Sequence, residues 1–128
     1  MFNDELMLHI SRNELQLLLR VFFVSTNTAA ALKYIRTHVF KSARRGVTRI
    51  ALVITNANSV DAVATSEEAD LTRRAGINIM AVAVGNWLDI NELMSIVSYP
   101  TNRNTLRIPN FESFGSVVHT IRDSVCGS

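Results

Sequence analysis

Two segments, Arg49–Thr55 and Ile77–Val84, are continuous apolar runs bounded by turn residues. That is the pattern of parallel strands buried on both faces. Between them, Val60–Ala75 carries Glu67, Glu68, Asp70, Arg73 and Arg74 on one side and closes at Gly76. This predicts a surface helix with a glycine C-cap, and so a βαβ crossover. Upstream, Thr26-Asn27-Thr28 can cap a helix in which Ala31, Leu32, Ile35, Val39 and Phe40 form an apolar stripe while Lys33 and Arg36 project outward. Arg44-Arg45-Gly46 ends it. Ser11 and Glu14 have the spacing of a capping box, and Leu15, Leu18, Leu19, Phe22 and Phe23 follow at helical intervals, which predicts a first helix. Phe2–Ile10 alternates loosely, as a short edge strand would. Asp89 and Glu92 offer a further capping pair before Leu93, Met94, Ile96 and Val97, and Pro100 blocks continuation. Thr105–Ile108 reads as a short edge strand. Phe111–Val125 reads as a last helix with Phe114, Val117, Val118, Ile121 and Val125 inward.

Strands alternating with helices predict an α/β fold, a doubly wound and mostly parallel sheet with helices on both faces. Its ligands are expected at the carboxyl ends of the strands. The loops there are Thr55-Asn56-Ala57-Asn58-Ser59 and Gly85-Asn86-Trp87. A chain of 128 residues, 48% hydrophobic and 19% charged, has the size and apolar content of one globular domain. The longest apolar candidate, Leu15–Val24, is shorter than the run of about 20 residues a membrane span needs and contains Arg20, so no membrane insertion is expected. No positive n-region and apolar h-region open the chain, so no secretory signal is visible.

A formal net charge of +2 is too small to argue for nucleic acid. Locally, Lys33, Arg36, His38, Lys41, Arg44, Arg45 and Arg49 crowd together, a candidate surface for an acidic partner or a sulfated polysaccharide. A solvated helix end and turn explains the same residues without a ligand. Cys126 is a lone cysteine just past the last apolar helix, placed to bond a partner thiol elsewhere rather than to sit in the core.

Catalytic patterns do not emerge. Phosphate-cradling loops of the Gly-x-x-x-x-Gly-Lys-Ser/Thr or Gly-x-Gly-x-x-Gly type are missing from the sequence, as is Gly-x-Ser-x-Gly. His9, His38 and His119 fall on a strand and two helices rather than on strand-end loops. One cysteine, with no His-x-x-x-His or Cys-x-x-Cys pair, rules out structural zinc by ligand arithmetic. The strand-end set is Ser25, Thr26, Thr28, Thr55, Asn56, Asn58 and Ser59, with Asp61 nearby. Its oxygens suit a hard cation, but only one carboxylate is present to offset dehydration of the ion. Turn and capping hydrogen bonds therefore account better for most of these residues.

The order of blocks Thr26–Leu32, Arg49–Asn58 and Gly76–Gly85, followed by Asp89–Ser98 and Asn110-Phe111…Phe114, resembles the von Willebrand factor type A fold, in the version found in type VI collagen alpha chains and matrilins. The resemblance spans essentially the whole chain. It implies one domain over residues 1–128, with 126–128 opening a linker. It also implies an extracellular-matrix module that binds protein partners such as collagens, and no catalysis. In that family a metal-ion-dependent adhesion site uses Asp-x-Ser-x-Ser, a threonine and the aspartate of Thr-Asp-Gly. Carried over, the threonine is Thr26, Asn56 holds the aspartate position, and Ala29 and Ala57 replace glycines. The Asp-x-Ser-x-Ser segment is missing from this sequence. The resemblance therefore implies a degenerate site with no cofactor, where an intact one would take Mg²⁺. It further implies that Phe2–Ile10 is the third strand and Arg49–Thr55 the fourth, so that the first two strands and first helix are absent. Ile50–Ile54 would then have an unpaired edge, which predicts instability or self-association. The competing readings are a small intracellular α/β ligand-binding or signalling domain and a degenerate, non-functional fragment.

Overall fold

A computed structural model describes residues 2–12, 15–24, 27–39, 48–56, 58–86, 88–113 and 115. Among them five strands form one sheet in the order β1-β2-β3-β4-β5: β1 Phe2–Arg12, β2 Leu15–Val24, β3 Thr48–Thr55, β4 Ile77–Val84 and β5 Thr105–Ile108. β1 and β2 are antiparallel; the other neighbours are parallel. Helix α1, Thr28–Tyr34, continues as a π-helical turn over Ile35–Val39 and links β2 to β3. Helix α2, Ala62–Arg74, links β3 to β4, and α3, Ile90–Ile96, links β4 to β5.

The continuous apolar runs become the central strands. In β3 and β4 the odd-numbered positions Ala51, Val53, Ile79, Ala81 and Ala83 join Ala31, Leu32 and Ile35 of the α1 segment, Ala69 of α2, and Leu93 and Ile96 of α3 in one buried cluster. The alanines let helices approach the sheet closely. The even-numbered Ile50, Leu52, Ile54, Met80, Val82 and Val84 are buried as well, so both faces of the sheet are covered at its centre. The surface helix expected over Val60–Ala75 is α2, with Asp61 as N-cap accepting from Ala64 N at 3.0 Å. It is followed by Gly76 at a φ of 85°, the left-handed conformation that a glycine adopts without a Cβ penalty. The expected strand Thr105–Ile108 is β5 with the same bounds.

One element differs in kind. The helix expected over Leu15–Phe23 is strand β2, and Ser11 lies inside β1 rather than at a cap. In Leu15–Val24 only Gln16 and Arg20 are polar, so a helical stripe can be picked out of a run that is apolar almost throughout. The closing Val21-Phe22-Phe23-Val24 favours extended backbone. The consequence for the sheet is direct. β2 pairs with β3 from Leu17↔Thr48 to Val24↔Thr55, while β4 pairs on its other side from Arg49↔Ile77 to Thr55↔Ala83. The unpaired edge expected at Ile50–Ile54 is thus filled, and the instability predicted from it loses its basis. Of the expected last helix, Phe111–Ser113 is a single 3-10 turn, and most of the remainder, including Val117 to Val125, lies outside the described residues, as does the turn at Arg44-Arg45-Gly46.

Candidate functional site

Parallel strands bring the β3–α2 and β4–α3 loops together at their carboxyl ends. Thr55 closes β3 and is buried, and Asn56 after it is exposed. Beyond Asn56 the chain is tied across to the neighbouring loop. The Asn58 Oδ1 accepts from the Asp89 backbone N–H at 2.9 Å. Glu92 Oε1 accepts from the Ser59 backbone N–H at 3.1 Å and from the Ser59 hydroxyl. The capping pair expected of Asp89 and Glu92 is therefore only half formed. Asp89 caps α3, accepting from Asn91 N at 3.0 Å, while Glu92 turns to Ser59. α3 ends at Ile96, and Val97 is already extended, before Pro100 is reached.

β5 contributes a positive group to the same end. The Arg107 guanidinium donates from Nη1 to Gly85 O at 2.5 Å and from Nη2 to Leu88 O at 2.9 Å. This fork holds the two ends of the β4–α3 loop, which starts at Gly85 with a φ of 83°. Charge-assisted bonds of this kind are stronger than neutral ones. Sequence reasoning missed Arg107. Its only signal was an arginine inside an otherwise apolar four-residue strand.

The carboxylates nearest these loops, Asp61, Asp89 and Glu92, each accept an amide of this chain. Asn58 and Ser59, candidate cation ligands by type, serve as cross-loop ties. Among the described residues no group of three or more His, Cys, Asp or Glu is gathered to hold a metal ion. Thr26 and Ala57 lie outside the described residues; Thr28 is buried at the start of α1, where Asn27 Oδ1 caps Ala30 N at 3.2 Å. Among the described residues, Asn56 brings a neutral oxygen to the end of β3, and Asp61, Asp89 and Glu92 each accept an amide N–H.

Of the basic cluster, Lys33, Arg36, His38 and Arg49 are among the described residues. Lys33 is exposed on α1. Arg36 does not project outward as expected; it is half-buried and paired with Glu68 at 2.6 Å, joining the α1 segment to α2. Arg49 sits at the amino end of β3, beside Gly76 and at the opposite end of the strand from Asn56. Lys41, Arg44, Arg45 and Cys126 lie outside the described residues. Arg73, read as a surface charge, donates to Ile96 O at 2.5 Å and so caps the last turn of α3.

A doubly wound parallel sheet with its loop pair at the carboxyl ends defines a fold class shared by many proteins. Residues 16–120 match the von Willebrand factor type A domain, and the chain belongs to that family. It is 34% identical over 102 residues to the mouse collagen alpha-4(VI) chain, covering 76% of this chain and 4% of that one. To cuticlin-6 of Caenorhabditis elegans it is 31% identical over 104 residues, covering 81% of this chain and 17% of the other. The chain thus spans a small part of these relatives. Among solved structures, proximal thread matrix protein 1 from the mussel byssus superposes with a TM-score of 0.71 at 20% identity, over 79% of this chain and 27% of that one. A second structure of that protein, with a zinc-occupied adhesion motif, gives a TM-score of 0.71 at 21% identity, over 79% of this chain and 26% of its own.

Proposed function

We propose that this chain is a non-catalytic extracellular-matrix module that docks a protein partner of the collagen kind at the carboxyl-end face without a bridging metal. The observation that carries the reading is the carboxyl end of β3. An exposed, neutral Asn56 stands there at the position of the family's ligating aspartate, and the acidic groups around it are bound to amides of the chain. Val60 and Val63, at the start of α2, are 73% and 69% exposed, giving this end of the molecule apolar contact area. The relatives named as collagens and cuticlin support a place in the matrix.

Two measurements test the reading together. Calorimetric titration with Mg²⁺ and Mn²⁺ is expected to show no binding by the parent chain; binding by the parent would overturn the broken site, and an Asn56→Asp variant shows whether one charge restores affinity. Binding to immobilised type VI collagen is expected to persist in a chelator and to fall about tenfold or more in Val63→Asp, since the change puts an unpaired charge into an apolar contact. Binding abolished by the chelator would sink it.

A further inference from the structure

We propose that Asn58 is a self-modifying residue: the backbone nitrogen of Ser59 attacks its side-chain amide, and the neighbouring loop accelerates the deamidation that follows. The inference rests on the cross-loop ties alone and stands without the reading above. No asparagine of this chain is followed by glycine, and Asn58 is the one followed by serine. A small residue at that place leaves the attacking nitrogen open. Asn58 is also exposed, so water reaches its amide and released ammonia can depart.

Two groups at the start of α3 stand at the two atoms where this reaction needs help. The Ser59 N–H carries the proton that must leave as its nitrogen attacks, and it donates to Glu92 Oε1 at 3.1 Å. A carboxylate there is a general base within hydrogen-bond reach of the proton it takes. The Asn58 Oδ1 gains negative charge as Cγ becomes tetrahedral, and it accepts from the Asp89 N–H at 2.9 Å. That is the place of an oxyanion donor. The chemistry balances with water as the only co-reactant. The bond from Ser59 N to Asn58 Cγ forms as the proton passes to Glu92. The bond from Cγ to Nδ2 breaks as that proton is delivered to Nδ2, and ammonia leaves a cyclic imide behind. Water then opens the imide at either carbonyl, giving aspartate or isoaspartate. Either product sets a new carboxylate two residues beyond Asn56, so the carboxyl-end face gains negative charge as the molecule ages. Restraint of the loop by the same two hydrogen bonds would act the other way and protect Asn58. The sign of the effect on the rate therefore decides between acceleration and protection.

Mass spectrometry of the chain incubated at neutral pH reads that sign, following the replacement of the side-chain nitrogen by oxygen. Tryptic cleavage after Arg49 and Arg73 yields a peptide carrying both Asn56 and Asn58, which fragmentation tells apart. Asn58 is expected to deamidate about tenfold or more faster in the folded chain than in the same chain unfolded in guanidinium chloride. Glu92→Gln keeps an oxygen for the Ser59 N–H but takes no proton from it, and is expected to slow Asn58 about tenfold while leaving Asn56 unchanged. The comparison of folded with unfolded parent needs no variant, so it decides even where the substitution disturbs the fold. A folded chain no faster than the unfolded one, or a folded Glu92→Gln chain as fast as the parent or faster, would refute the proposal.

Discussion

Glu92 shows how much one side chain at a loop crossing does. It leaves its own helix cap to accept two bonds from Ser59, and so fastens the start of α3 to the loop after β3. Removing it strands a half-buried amide and a hydroxyl. Glu92→Ala is expected to cost about 1–3 kcal/mol in urea unfolding, while Glu67→Ala on the exposed face of α2 stays within about 0.5 kcal/mol. Equal midpoints for the two variants would mean the tie carries no energy. Such ties explain why the site was only partly legible in the sequence. Asn58, Ser59 and Asn56 could be placed at the strand ends from residue type and pattern, but whether their oxygens serve a ligand or a neighbouring amide depends on which loop faces them. Asp89 and Arg107 are 31 and 49 residues beyond Asn58, by subtraction of their positions, and no local spacing rule reaches that far.

Among elements, those with a distinctive period were readable. β3 and β4 announce themselves by continuous apolar runs with turns on either side, α2 by its charged side and the Gly76 that closes it, and β5 by its isolation between turns. Leu15–Val24 failed because a segment that is nearly all apolar fits a helix and a buried strand alike, and only its place beside β3 decides. The turn after α2 permits a direct check of how far its signal matters. At a φ of 85°, Gly76→Ala is expected to destabilise by about 1–2 kcal/mol, mostly from the left-handed backbone. The added methyl would meet Arg49 Nη2 at 3.3 Å, the far end of a flexible side chain, which moves aside. An unchanged midpoint in chemical denaturation would contradict this.

For the molecule as a whole, a central β2-β3-β4 block is paired on every side and covered on both faces at β3 and β4, while function is left to its margins. The carboxyl-end loops offer Asn56 and the two valines. On the proposed reading, recognition at this end rests on protein contacts, because Asn56 brings a neutral oxygen to the end of β3.

The cross-loop ties also set how the carboxyl-end face moves. The backbone N–H of Ser59 is held by Glu92, and that of Asp89 by Asn58, so neither loop can lift without loosening the other. In native-state hydrogen exchange these two amides, distant in sequence and outside any strand, are expected to trade deuterium in step, and Asn58→Ala is expected to speed both together. Independent rates would mean two separate flaps. A shared rate would make the two loops one hinged cover over the strand ends, opening with a single free energy.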